Sequence, residues 1–148
     1  MIALAALDAG RLGIAACSVG LATAAFDAAV RFARERRQFG RSVVEFQGLQ
    51  FMLADMATQI EASRRLYREA ARARDAGEPF SVGASMAKLK ASDTAMRVTT
   101  DAVQLHGGYG YMAEYTVERY MREAKALQIV EGTNQVQRMV IGRRFATA

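Results

Sequence analysis

Tryptophan is absent from this sequence, and proline and cysteine occur once each, at Pro79 and Cys17. A lone cysteine excludes an internal disulfide and with it a disulfide-stapled scaffold, so the expected compartment is reducing: cytoplasmic, or the mitochondrial matrix in a eukaryote. The scarcity of proline leaves long stretches without a helix breaker. No basic segment precedes the first apolar residues, which argues against a secretory signal. The longest apolar stretch, Leu12 to Phe26, is bounded by Arg11 and Asp27 and falls short of the ~20 residues needed to span a bilayer. Being rich in Ala and Gly, it reads as a buried helix in which Cys17 serves as a small hydrophobe. The single histidine, His106, has no second histidine or cysteine cluster beside it, which argues against a metal site.

What is present favours helix. Of 148 residues, 51% are apolar, enough for one domain with a core, and Ala, Leu, Met, Arg, Glu and Gln are abundant. The formal charge of +5 is spread among acidic residues along the chain, a pattern that suits a few arginines on an anionic small molecule better than a nucleic-acid footprint. Arg64, Arg65, Arg68, Arg72 and Arg74 form a basic stripe, but Glu61, Glu69 and Asp75 interrupt it, as on a solvated helix face. A basic helical nucleic-acid-binding protein is therefore the least favoured reading.

Periodicity predicts a first helix from about Leu7 to Glu35, with Gly13, Ala16, Cys17, Gly20 and Ala24 on one side where a neighbouring helix could approach closely. Gly40 lies just beyond its end, and Arg41 to Glu45 reads as a connection. A second helix is expected from Phe46 to about Asp75, roughly 45 Å long, with Leu49, Met52, Leu53, Met56, Ile60 and Tyr67 on one face. Gly77-Glu78-Pro79 ends it, and Ser81 is a candidate N-cap for a third helix reaching Leu105. Gly107-Gly108-Tyr109-Gly110 interrupts regular helix. Tyr115 to Leu127 predicts a shorter helix, and Thr133 can cap a last one through about Phe145. The expected fold class is all-α, an antiparallel helical bundle in one domain spanning the chain.

Three segments could carry chemistry. Glu131 follows Leu127, Ile129 and Val130 and precedes Gly132; apolar surroundings would raise its pKa towards the range of a general base, although a plain helix end also fits. Gln104-Leu105-His106-Gly107-Gly108 offers an amide and close-approach glycines to a polar ligand, though not in dinucleotide-fingerprint spacing. Arg36-Arg37-Gln38-Phe39-Gly40 places cationic donors, an amide and an aromatic at a helix end, where they could bind phosphate and stack on a ring or simply stabilise the helix.

Taken in order, Arg36 to Gly40, Phe46-Gln47 leading into Leu53-Ala54-Asp55-Met56, Gln104 to Gly110, and Glu131-Gly132-Thr133-Asn134-Gln135-Val136-Gln137-Arg138 resemble the C-terminal domain of the acyl-CoA dehydrogenases over nearly the whole chain. The resemblance implies a homo-oligomer, tetramer or dimer, that holds FAD at a subunit interface and passes electrons to an electron transfer flavoprotein. On it, Arg36 matches the arginine reaching the FAD pyrophosphate, with Gln38, Phe39 and Gln47 as cofactor-contacting neighbours. Gln104, Leu105, His106, Gly107 and Gly108 match the segment that approaches the cofactor from a neighbouring subunit, and Thr133 and Gln135 match flavin contacts. Arg11 and Gly132 match positions near the acyl-CoA substrate. Glu131 aligns with the base that removes the α proton while a hydride leaves the β carbon, giving a trans-2-enoyl-CoA. Some relatives carry the base just before the first-helix arginine, where this chain has Gly10. The wording of Ala15 to Ser18, Leu53 to Thr58, Ser85 to Leu89 and His106 to Tyr111 is similar to family members acting on short branched acyl groups. The resemblance also implies that an N-terminal helical domain and a middle β domain lie outside this chain, so the expectation is that it folds but does not oxidise acyl-CoA alone. The competing expectation is a catalytically inactive oligomerisation and FAD-binding module.

Overall fold

The structure is a computed structural model that describes residues 2–146, with side chains from residue 7 to residue 146. Its helices are α1 (Ile2–Glu35), α2 (Gln47–Asp75), α3 (Ser81–His106), α4 (Val117–Leu127) and α5 (Asn134–Ala146). A two-residue antiparallel ladder, β1 (Arg37–Gln38) with β2 (Arg41–Ser42), and a 3-10 turn at Val43–Glu45 join α1 to α2. A second 3-10 turn, Gly107–Tyr111, follows α3.

Alternation of direction follows from the contacts. Arg11 near the start of α1 meets Ser85 near the start of α3, and Phe32 near the end of α1 stacks on His106 at the end of α3 with ring centroids 4.3 Å apart. These two helices therefore run parallel. Between them α2 runs the other way, since its late residue Ala70 packs with Leu12 and Ala84, while Ser63 Oγ bonds Thr94 Oγ1 at 2.9 Å. The most extensive contact is α1 on α3, and it is made of small side chains: Ala15, Ala22, Ala25, Ala29 and Ala33 on one helix and Ala84, Ala87, Ala91, Ala95 and Ala102 on the other are completely buried or nearly so. Alanine has no side-chain entropy to lose and brings helix backbones towards the close end of the ~8–10 Å range of interaxial distances.

The close-packing face of α1 is thus not the one expected. Gly13, Ala16, Cys17 and Gly20 are exposed and Ala24 is half-buried, because the packed stripe runs through Ala15, Ser18, Val19 and Ala22, a rotation of about 100° per residue step away. Cys17 is accordingly an exposed thiol, not a buried hydrophobe. The stretch Leu7–Glu35 is long and apolar enough to cross a membrane by length and composition, contrary to the shorter estimate from Leu12 to Phe26; here its alanine face is occupied by α2 and α3.

α1 begins at Ile2, five residues before the expected Leu7, and the remaining boundaries differ by a residue or two. Ser81 is the first helical residue of α3, Phe80 takes the cap position, and no side-chain cap bond forms there. Thr133 does cap α5, its Oγ1 accepting from the Val136 N–H at 3.4 Å. The end of α1 is closed by the Ser42 hydroxyl, which lies 2.9 Å from the carbonyls of both Ala33 and Arg34. That long-range cap explains why a β-ladder occupies what reads in sequence as a plain connection.

Gly110 is buried where the turn after α3 folds back on it. A Cβ there would stand 2.6 Å from the Val103 carbonyl oxygen and 2.9 Å from His106 Cβ. Gly110→Ala should therefore lower stability by about 1–3 kcal/mol, the usual range for overpacking, seen as a lower urea midpoint with an unchanged slope. An unchanged midpoint would show that the turn relaxes freely.

Candidate active site and cofactor groove

The sequence-predicted residues gather at two ends of the α1–α3 pair. At one end Arg36, Gln38, Gln104, Leu105, His106, Gly107 and Gly108 line one groove of about 300 Å³ together with Phe32, Val43, Leu49 and Tyr109. The Arg36 guanidinium lies 5.2 Å over the Tyr109 ring. Gln104, Gly107 and Gly108 are exposed on this groove, whereas Leu105 and His106 are buried beneath it. His106 Nδ1 is bonded to the Ala102 carbonyl at 2.7 Å, and burial holds its pKa below the usual histidine value. A neutral, stacked imidazole at this position supports the groove floor. Gln47, the first residue of α2, is exposed beside this end.

Phe39 stands at the tip of the β1–β2 hairpin, 91% exposed, with its ring edge-on to Phe46 at 6.2 Å. It adopts φ 53° and Gly40 φ 81°, the paired positive values a tight two-residue hairpin requires. An aromatic residue in that region is uncommon and costs of order 1 kcal/mol or more. Among the described residues the only other non-glycine with positive φ is Glu131, also at φ 53°. Both outliers therefore fall on residues singled out for chemistry.

Glu131 lies at the other end, on the turn from α4 to α5, followed by Gly132 at φ 86°. Its carboxylate occupies the space that a side chain on residue 10 would fill: a Cβ on Gly10 would come within 2.8 Å of Glu131 Cδ and closer still to Oε2. The two positions that could carry a base thus face each other across one gap. Apolar enclosure by Ile129 and Val130 is not found: both are exposed, and Glu131 is half-buried. Its electrostatic surroundings are instead polar. Arg11 is buried, with Nη1 on Asp8 Oδ1 at 2.5 Å and on Ser85 Oγ at 3.3 Å, and its Nε has no partner.

Sequence reasoning missed the supports of this turn. Lys88, wholly buried in α3, donates from Nζ to the Gln128 carbonyl at 3.2 Å, the Gly132 carbonyl at 2.9 Å and Asn134 Oδ1 at 2.8 Å. Asn134 Nδ2 donates to Ser92 Oγ and to Asp93 Oδ1; Asp93 Oδ1 also accepts from Gln128 Nε2 at 2.7 Å. From the other side buried Gln137 donates through Nε2 to the carbonyls of Glu131 and Gly132. A signal was present: Lys88 shares the helical stripe of Ala84, Ala91 and Ala95, where a charge has no place without partners. Thr133 and Gln135 lie on the same turn and on the first turn of α5.

The α2 arginines are largely engaged with neighbouring carboxylates. Arg64 and Arg65 both bond Glu61 at 2.9 Å, Arg72 pairs with Glu69 and Arg74 with Asp75, so the stripe is a solvated face of ion pairs.

Residues 1–146 match the family model described as "Acyl-CoA dehydrogenase, C-terminal domain". The chain belongs to the acyl-CoA dehydrogenase family. It is 55% identical over 141 residues to the short-chain specific acyl-CoA dehydrogenase of Megasphaera elsdenii, covering 95% of this chain and 37% of that protein. With the short-chain specific enzyme of Clostridium acetobutylicum it shares 54% over 144 residues, 97% of this chain and 38% of the other. The structure of butyryl-CoA dehydrogenase from Megasphaera elsdenii superimposes with a TM-score of 0.97 at 53% identity, over 98% of this chain and 38% of that one. A chain in a structure of the electron transferring flavoprotein of Acidaminococcus fermentans superimposes with a TM-score of 0.98 at 56% identity, over 99% of this chain and 39% of its own length. The chain thus spans less than two fifths of the relatives it matches.

Burial of the Lys88 ammonium lowers its pKa to about 8, with the Asp93 carboxylate opposing the shift, Arg11 adding to it and Glu131 opposing it. An unfolded chain keeps this proton up to the ordinary lysine value near 10.5. The charged form is therefore penalised in the folded protein below about pH 8, and stability relative to a Lys88→Met chain should rise as pH increases from about 8 to 10.5. An NMR titration of Lys88 should show a midpoint near 8; a midpoint at the ordinary value would contradict the desolvation.

Proposed function

We propose that the complete protein to which this chain contributes catalyses flavin-dependent α,β-dehydrogenation of a short-chain acyl-CoA, with Glu131 as the base. The observation that carries this reading is the Glu131 carboxylate itself, held on a strained turn against Gly10 in the slot where a second carboxylate has no room. In such a reaction Glu131 takes the α proton of the thioester. When bound, FAD supplies the acceptor for the hydride leaving the β carbon, so the substrate loses one proton and one hydride and gains the trans double bond. An α proton of a thioester is too weakly acidic for a carboxylate unless the carbonyl is polarised as charge develops. Among the described residues the Glu131 N–H donates to no backbone acceptor, which leaves a donor at the turn for that oxygen. Short acyl chains are favoured because the relatives named above are short-chain specific; branching of the acyl group is a finer expectation resting on motif wording.

The groove residues fit the cofactor chemically. A guanidinium (Arg36), two amides (Gln38, Gln104) and side-chain-free backbone at Gly107 and Gly108 suit a pyrophosphate, and exposed Phe39 offers a stacking face. Lys88 and Gln104 are sixteen residues apart on α3, so the Glu131 turn and this groove are separated by about 24 Å along the helix. That separation supports a homo-oligomer in which one copy's groove and another copy's Glu131 turn, with Thr133 and Gln135, serve one FAD. It also argues against the inactive-module reading, which leaves the Glu131 geometry without a purpose. Electron transfer flavoprotein is the proposed acceptor, supported by the Acidaminococcus fermentans likeness.

In the full-length protein Glu131→Gln should retain FAD while anaerobic flavin reduction by butyryl-CoA falls at least 1,000-fold, a loss of about 4 kcal/mol of transition-state stabilisation. Reduction within tenfold of the parent would refute the assignment.

A further inference from the structure

The strongest polar feature that the proposed chemistry does not use directly is the buried ammonium of Lys88. We propose that Lys88 is the positioning residue of the Glu131 site: it clamps the Gln128–Asn134 turn onto α3 through two carbonyls and one amide oxygen, and so fixes where the Glu131 carboxylate points. The catalytic consequence rests on the function proposed above; the clamp itself does not.

Three observations carry it. First, an ammonium has three N–H donors, and three acceptors converge on it at 2.8–3.2 Å from both ends of the turn and from the first residue of α5. Second, neither carbonyl acceptor depends on Lys88 for a hydrogen bond. The Gln128 carbonyl also accepts the Asn134 N–H at 3.0 Å, and the Gly132 carbonyl accepts Gln137 Nε2 at 2.9 Å. A fold that needed only to satisfy these oxygens had no reason to bury a charge, which is expensive. Third, the clamped turn contains two consecutive positive-φ residues, Glu131 and Gly132. Such a conformation persists only where its surroundings over-determine it, and Lys88 on one side with Gln137 on the other supply that determination. The charges acting on Lys88 are Asp93 of its own helix, Arg11 of α1 and Glu131 of the turn; Arg11 is paired with Asp8, and Arg138 of α5 lies on Asp93 Oδ2 at 3.2 Å.

The test uses the full-length, FAD-bound protein carrying Lys88→Met, which keeps the length of the side chain and removes the donors. A crystal structure should show the Glu131–Gly132 turn displaced or in two conformers with α1–α3 packing intact. Single-turnover flavin reduction by butyryl-CoA should slow at least tenfold per bound flavin, with KM changed less than threefold and a larger isotope effect from α-deuterated substrate, because proton removal is what has been misaligned. A superimposable turn with a reduction rate within twofold of the parent would overturn the proposal. So would fewer active molecules with a normal rate and isotope effect, the signature of a merely structural lysine. Should Lys88→Met not fold, Asn134→Ser removes one arm of the clamp; a smaller shift of the turn and slowing of reduction support the proposal, and no change in either overturns it. If Glu131→Gln proves active, the function proposed above fails, and the position of the turn in Lys88→Met alone decides whether the clamp exists.

Discussion

Close alanine packing of α1 against α3 is the constraint on which the rest of the molecule depends. Because the two helices run parallel at short range, each of their ends becomes a place where residues distant in sequence meet. At the leading end Gly10 and Arg11 of α1 face Ser85 and Lys88 of α3, and the α4–α5 turn closes over them with Glu131. At the trailing end Phe32 stacks on His106, and the chain leaving each helix contributes to one groove. A bulkier residue anywhere on the alanine stripe would separate the helices and loosen both ends together.

The two ends differ in chemistry in a way that follows from their backbone. The trailing end is built from segments that have just left a helix, so it exposes amides, glycines and a cation in a shallow, open surface suited to an extended anionic ligand. At the leading end the charges are held against one another: the Arg11–Asp8 pair, the Lys88 ammonium among oxygens, and the Asp93 carboxylate among donors. For the proposed proton removal the Glu131 carboxylate needs a fixed direction, and this polar network is what would supply it.

Much of this was legible in the sequence. Helix number, helix type and the two glycine-containing breaks follow from periodicity, and the likeness of four ordered motifs to one family named Glu131, Arg36 and the Gln104–Gly108 segment. What was not legible has identifiable causes. Periodicity cannot choose between two faces of a helix that is small-residue-rich all round, so α1 was assigned the wrong packing stripe and Cys17 the wrong environment. The β1–β2 hairpin depends on Phe39 taking a conformation that aromatic residues rarely adopt, and on Ser42 capping a helix eight or nine residues back. Enclosure of Glu131 by Ile129 and Val130 failed because nearness in sequence does not fix which way side chains point where a helix ends; both are exposed. Lys88 went unnoticed because one lysine in a helix reads as a surface residue until its partners on another element are known.

The proposal that this chain contributes the base to a site completed elsewhere is tested by a crystal structure of the full-length protein with FAD and a non-reacting butyryl-CoA analogue. The Glu131 carboxylate should lie about 3–3.5 Å from the α carbon, the separation of a near-attack geometry, on the face opposite the flavin. A Glu131 carboxylate turned away from the thioester, with another carboxylate at the α carbon, would contradict it.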